Sequence, residues 1–196
     1  MFKRLMDLLG ACVGLLLLWP FFLAVAVAIK LDDRGPVFFR QERVGRFGRR
    51  FRIWKFRTMV LDAERQGAQV TVGRDPRITR VGHTLRRFKL DEFPQLLNVL
   101  VGEMSLVGPR PEVPRYVAEY SPEQRVVLDL RPGITDPASI TFRDEAAVLA
   151  GKADPEKAYI EELMPEKIRI NLDYAAHANV FTDFATVLRT LGVLGR

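Results

Sequence analysis

The sequence predicts a mainly α-helical chain with a small β-hairpin: an N-terminal re-entrant membrane helix-break-helix over residues 1–31, then a compact, membrane-associated cytosolic domain of short and interfacial helices over residues 32–196. Three observations lead there. Leu8 to Ile29 carries no charge; Val37 to Met59 mixes aromatic and β-branched residues with arginines around Gly45-Arg46-Phe47-Gly48; and the remainder is cut into short helical pieces by Pro and Gly. With 196 residues and 48% apolar content, the chain is the size of one folded unit.

The uncharged run spans 22 residues, about 33 Å as a helix, which is long enough to cross a hydrocarbon core. Lys30-Leu31-Asp32-Asp33 offers no small-residue cleavage site, so a removed signal peptide is the weaker reading. The flanks bear on topology. Lys3 and Arg4 precede the run, and ten Lys or Arg against three acids occupy residues 30 to 57. A simple span would place one basic flank on the wrong side, whereas a segment that enters and returns keeps both in the cytosol. Pro20, near the middle, is expected to bend or break the helix after Trp19, because it lacks an N–H and crowds the preceding turn. A kinked single span is the alternative.

Val37 to Met59 reads as a β-hairpin with Phe51 and Ile53 on one face. Its arginines form either a solvated face or a contact for lipid phosphates. Helical signals follow: Leu96, Leu97 and Leu100 at helix spacing, a capping box at Ser121-Pro122-Glu123-Gln124, an Asp154-Pro155 start, and a last helix from Thr182 to Leu191 with Phe184, Val187, Leu188 and Leu191 on one face. No GxGxxG or GxxxxGK[ST] loop is present, and the sheet content is too small for a Rossmann unit.

A net charge of +6 and a pI near 9.8 imply an acidic partner: anionic lipid, phosphorylated small molecules or nucleic acid. The single cysteine, Cys12, rules out an intrachain disulfide and fits a reducing compartment. His83 and His177 stand apart from any ligand pattern and receive no role.

Asp91 and Glu92 stand just before Pro94 at a helix start, where unpaired N–H groups and the helix dipole favour negative charge, a carboxylate's or a bound phosphate's. Taken alone they read as an N-cap and a first-turn acid. Their neighbours change that balance. Arg86, Arg87 and Lys89 precede the pair, and Gly108-Pro109-Arg110-Pro111 follows, a rigid turn that holds the Arg110 guanidinium in the narrow range of directions a bidentate phosphate contact needs. Lys55 and Arg57, in Lys55-Phe56-Arg57-Thr58-Met59, add two cations, unless they only protect an edge strand. A carboxylate, a magnesium ion and several cations suit phosphoryl chemistry: the carboxylate attacks phosphorus and the cations offset the charge.

At this point the chain resembles the monotopic phosphoglycosyl transferases, the bacterial sugar transferase family. The resemblance runs from end to end. It rests on Lys3-Arg4-Leu5-Met6-Asp7, on the stretch from Gly35-Pro36-Val37-Phe38-Phe39-Arg40 to Gly45, on Lys55-Phe56-Arg57-Thr58-Met59, on Leu90-Asp91-Glu92-Phe93-Pro94-Gln95-Leu96-Leu97-Asn98, and on Gly102-Glu103-Met104-Ser105-Leu106-Val107-Gly108-Pro109-Arg110-Pro111-Glu112. It implies a re-entrant membrane helix at the cytoplasmic face of the bacterial inner membrane. It also implies a magnesium-dependent Asp91-Glu92 dyad (manganese as a substitute), with Asp91 as nucleophile and a phosphate-binding role for Arg110; Lys55, Arg57 and Arg86 are added to the phosphate-binding set on the residue pattern above. The implied reaction moves a phosphosugar from a UDP-sugar to undecaprenyl (polyprenol) phosphate and releases UMP, the first membrane step of glycoconjugate synthesis. Two places depart from the family's usual pattern: Trp19, where Ser often precedes the membrane proline, and Arg131-Pro132-Gly133-Ile134-Thr135-Asp136-Pro137, which leaves the donor sugar open.

The competing reading is a membrane-tethered basic module binding anionic lipid or nucleic acid. Aromatics such as Phe47, Phe51 and Trp54 do interleave with arginines, but a phosphate binder without catalysis has no need of two acids beside its cations. Nucleic acid is therefore not an expected partner; membrane lipids are. Oligomeric state is left open.

Overall fold

The uncharged run folds as one helix, α1 (Phe2–Asp33), in a computed structural model that describes residues 2–63 and 75–193. Its 32 residues extend about 48 Å. Helix α1 continues through Pro20 as one helical segment, so of the expected bend or break the break is absent. Proline leaves the Leu16 carbonyl without its helical donor, which bends a helix or ends it according to what holds the two halves. Both halves are held along one body. Ala11, Leu15 and Leu18 share a core with Leu96, Val99 and Met104, while Phe21, Phe22, Val25 and Ile29 share another with Phe56 and Leu85.

Polar anchors fix each end of α1. Arg4 donates to the Val99 and Leu100 carbonyls at 2.6 and 3.0 Å. Buried Asp7 accepts from the Ser105 hydroxyl and the Leu106 N–H, both at 2.9 Å. At the other end Asp32 accepts from the Val81 N–H at 3.0 Å, and Asp33 pairs with Arg57. The two ends are thus tied to the same folded unit, and the opposite side leaves Leu9, Val13, Leu16, Leu17, Leu23 and Val27 exposed.

The expected hairpin is present. Strands β1 (Phe38–Val44) and β2 (Arg50–Phe56) are antiparallel, with Phe38 opposite Phe56 and Val44 opposite Arg50. Strand alternation turns Phe51 and Ile53 inward and Arg50 and Arg52 outward. Helix α2 (Arg80–Arg87), capped by Thr79, packs against the end of β2 through Gly82, where a Cβ would run into the Thr58 backbone. A 3₁₀ turn (Leu90–Gln95) leads into α3 (Leu96–Val101).

The sequence suggests a short strand before Gly108 but not its parallel partner: β3 (Ser105–Val107) lies beside β4 (Gly133–Thr135). The two meet through glycine. A Cβ on Gly133 would strike the Gly108 backbone, and one on Gly108 would strike the Arg131 carbonyl, so the turn carrying Arg110 is seated by two residues without side chains.

Short helices α4 (Pro114–Ala118), α5 (Pro137–Thr141), α6 (Glu145–Ala150) and α7 (Pro155–Ala158) precede the longer α8 (Met164–His177) and α9 (Val180–Thr190). They enclose a third core around Val113, Tyr116, Tyr120, Leu149, Tyr159 and Met164. The capping box at Ser121 and Gln124 forms reciprocally, but what it opens is a 3₁₀ turn rather than an α-helix. On α9, Val187 and Leu188 are half-buried, whereas Phe184 and Leu191 face outward.

Candidate active site

Lys89 adopts φ 55°, a left-handed conformation that costs a non-glycine residue about 1 kcal/mol. It turns the chain out of α2 so that Asp91 and Glu92 enter the first turn of the 3₁₀ segment. Three separate elements converge there. Glu92 accepts from Lys55 Nζ of β2 at 2.8 Å and from Arg110, beyond β3, in a two-point fork: Nη1 lies 3.1 Å from Oε2, and Nη2 donates to Oε1.

This arrangement separates the two acids. Burial pushes Glu92 up, but Arg110 and Lys55 together outweigh it and hold the carboxyl well below the usual range. Asp91 goes the other way: burial raises it, with Lys55, Arg86 and Arg110 opposing. Lys55 is itself lowered by burial, with Glu92 opposing. Glu92 is therefore a fixed anion committed to two cations, while no hydrogen bond or ion pair engages the Asp91 carboxylate among the described residues. Adjacent acids driven apart in this way serve different roles.

Asp91 lines a cleft of about 1160 Å³ together with Lys55, Arg86 and Arg110. The structure thus gathers Asp91, Glu92, Lys55, Arg86 and Arg110 into one group. Arg57 borders the same cleft but is otherwise engaged: its guanidinium grips Asp33, Nε donates to the Pro36 carbonyl at 2.5 Å, and only 5% of the residue is exposed. It fastens the end of α1 to the end of β2. Pro20 lies within α1 and is exposed, and it does not line the cleft.

Asn98 escaped the sequence reading. Fully buried, it accepts from the Trp54 N–H at 2.8 Å and donates to the Arg52 carbonyl at 2.9 Å and to Glu103 at 2.7 Å. It latches β2, and hence Lys55, onto the helix that follows Asp91 and Glu92. Its signal was available: one amide within the apolar run Leu96-Leu97-Asn98-Val99-Leu100.

Both Glu92 oxygens are taken by Lys55 and Arg110, so Asp91 is the carboxylate available to a hard cation. No cluster of three or more His, Cys, Asp or Glu side chains suited to a metal occurs among the described residues. One protein carboxylate completed by substrate phosphates and water is a pattern magnesium accepts, and Asp91 fits it.

Comparison with known proteins identifies the family. A UDP-N-acetylgalactosamine-undecaprenyl-phosphate N-acetylgalactosaminephosphotransferase of Aeromonas hydrophila is 46% identical over 192 residues, covering 96% of this chain and 42% of that protein. A UDP-glucose:undecaprenyl-phosphate glucose-1-phosphate transferase of Xanthomonas campestris pv. campestris is 38% identical over 200 residues, covering 99% of this chain and 39% of that protein. The chain thus spans about two fifths of the length of these two relatives. An exopolysaccharide production protein PSS of Rhizobium leguminosarum bv. phaseoli is 44% identical over 197 residues, covering 96% and 92% of the respective chains. The family model described as bacterial sugar transferase matches residues 1–196, so the dyad, its cations and the apolar helix all fall within the match, and the chain belongs to the bacterial sugar transferase family.

Proposed function

We propose that this chain transfers a phosphosugar from a UDP-sugar to undecaprenyl phosphate, giving a polyprenyl diphosphosugar and UMP through a covalent Asp91-phosphosugar intermediate. The observation that carries the proposal is an unengaged, buried carboxylate set among Lys55, Arg86 and Arg110 in a cleft, on a unit bound along an exposed apolar helix. Two relatives named above are transferases of sugar phosphates to undecaprenyl phosphate.

In the first step an Asp91 carboxylate oxygen bonds to the sugar-bearing phosphorus as the bond from that phosphorus to the bridging oxygen breaks, and UMP leaves with that oxygen. In the second, a phosphate oxygen of the lipid bonds to the same phosphorus and releases the Asp91 carboxylate. Burial makes Asp91 a more basic carboxylate and hence a better nucleophile, while Lys55, Arg86 and Arg110 offset the charge of the diphosphate. Glu92 holds Lys55 and Arg110 in place. A magnesium ion, or manganese in its stead, held by Asp91 and the diphosphate oxygens would supply further charge neutralisation.

Both ends of α1 are fastened to one unit, which supports keeping the two basic flanks on the cytoplasmic side of the inner membrane with the apolar side in lipid. The test is a panel of UDP-sugars given to the membrane-embedded chain with polyprenol phosphate and magnesium. UMP release that depends on donor and lipid, and stops on chelation, is expected. UDP release would instead indicate sugar transfer, and binding of anionic lipid or nucleic acid without turnover would indicate a binding module.

A further inference from the structure

The wall of the cleft changes character beside Arg110. Around Asp91 cations prevail, but two residues beyond Arg110 charge is balanced. Glu112 lies 3.9 Å from Arg43 and accepts from the Tyr159 hydroxyl. Lys167 donates to Glu145 at 2.7 Å, and its ammonium stands 5.4 Å above the Tyr159 ring. All five side chains line the same cleft as Asp91. Burial raises the Tyr159 hydroxyl far above its ordinary range, with Glu112 adding to the effect, so it stays a donor. Tyr159 also opens a π-helical turn (Tyr159–Leu163) just before α8, and such turns, with their extra residue, re-aim side chains and recur at functional sites.

Three kinds of ligand group can be weighed against this wall. A phosphate is badly served, because Glu112 and Glu145 face it with negative charge. A nucleobase is badly served as well: Tyr116 and Tyr159 are 5% and 4% exposed and pack on each other with ring centroids 5.0 Å apart, so neither offers a face for stacking. A neutral polyhydroxyl group is well served, since carboxylates accept from hydroxyls while ammonium and guanidinium groups donate to them. The cleft, at about 1160 Å³, has room for a hexose beside a diphosphate.

We propose that Glu112, Tyr159 and Lys167 form the donor-sugar subsite, reading the hydroxyl or acetamido pattern of the hexose attached to the phosphorus that Asp91 attacks. The subsite rests on the transferase reading above. A hydrogen-bonding wall of this kind discriminates because Glu112, Tyr159 and Lys167 are held in fixed directions by one another, by Arg43 and by Glu145, so a hydroxyl of one configuration meets an acceptor or donor that its epimer misses. Glu112 is the central member, adjacent both to Arg110 and to the Tyr159 hydroxyl.

The experiment measures kcat/KM for UDP-glucose, UDP-galactose and their 2-acetamido counterparts with the intact membrane-embedded chain, Glu112→Gln and Tyr159→Phe, alongside inhibition by UMP, which lacks the sugar. Expected is a drop of about tenfold or more in the preference between the best donor and its C4 epimer in Glu112→Gln, with UMP inhibition little changed. Tyr159→Phe keeps the ring packing, loses only the hydroxyl and shifts preference in the same direction, which decides the matter should Glu112→Gln not fold. A uniform fall for all donors, or UMP inhibition weakening in step with them, overturns the subsite while leaving the transferase reading intact. No turnover of any UDP-sugar by the unmodified chain overturns both.

Discussion

Arg110 and Glu92 meet as a two-point fork, with Nη1 3.1 Å from Oε2 and Nη2 on Oε1, while Lys55 Nζ closes on the same Oε1 at 2.8 Å. One carboxylate therefore fixes two cations from distant parts of the chain. A guanidinium has five N–H donors, so the fork leaves Arg110 others for a substrate anion while fixing its plane.

From this fork follows the first prediction. Arg110→Lys keeps the charge but cannot reproduce two parallel contacts. We expect kcat/KM to fall about 100-fold, equivalent to about 2.7 kcal/mol of transition-state stabilisation. Steady-state kinetics with UMP readout measure it, and near-unchanged kcat/KM would remove the fork from the account.

A second prediction concerns the Asn98 latch. Asn98→Ala leaves the Trp54 N–H and the Arg52 carbonyl without their buried partner, at a cost of about 2 to 3 kcal/mol. Thermal unfolding of the variant should show a lowered midpoint, and kcat should fall because Lys55 is the next residue along β2. An unchanged midpoint would show that β2 does not depend on the latch.

The third prediction is a pH dependence. Hydrogen bonding from Arg57 lowers Asp33 below its ordinary value, with burial opposing. A depressed carboxyl adds stability above its unfolded pKa, near 3.9, and that contribution is lost as pH falls through the folded value. Unfolding between about pH 5 and pH 2 should thus be less steeply acid-dependent in Asp33→Asn than in the unmodified chain. Identical acid limbs would mean the clamp contributes nothing.

Topology supplies the fourth. Because α1 passes Pro20 unbroken and both ends are anchored to one unit, cysteines placed at Lys3 and Lys30 should both be labelled from the cytoplasmic side only. Pro20→Ala should leave that pattern unchanged. Labelling of position 3 from the periplasm would contradict the same-side arrangement.

Much of this was legible in the sequence because local rules applied. Alternation gave the hairpin, and the Asp154-Pro155 start and the Ser121 box lie where their capping chemistry put them. At Pro20 the local rule leaves bend and break open, and continuity of α1 is decided by Leu15 and Leu18 packing on one side of it and Phe21 and Phe22 on the other. Arg57 looked like Lys55 on paper; only the fold shows that Asp33 reaches it across 24 residues. The β3–β4 pair was hidden for the same reason, since three-residue strands far apart in sequence carry no periodicity. The dyad stood out through its place at a helix start before Pro94, with Arg86, Arg87 and Lys89 ahead of it and Arg110 in a rigid turn beyond it, but the division of roles between Asp91 and Glu92 depends on which oxygens Arg110 and Lys55 occupy.

Attack of Asp91 on phosphorus is tested most directly by a single-turnover quench. The membrane-embedded chain is mixed with UDP-sugar and magnesium in the absence of polyprenol phosphate, quenched, and examined by intact mass and by UMP released. A near-stoichiometric UMP burst and a phosphosugar adduct on the Asp91 peptide are expected, both absent in Asp91→Asn. UMP that appears only when the lipid is present, with no adduct under any quench, would contradict it and leave direct transfer between the two substrates.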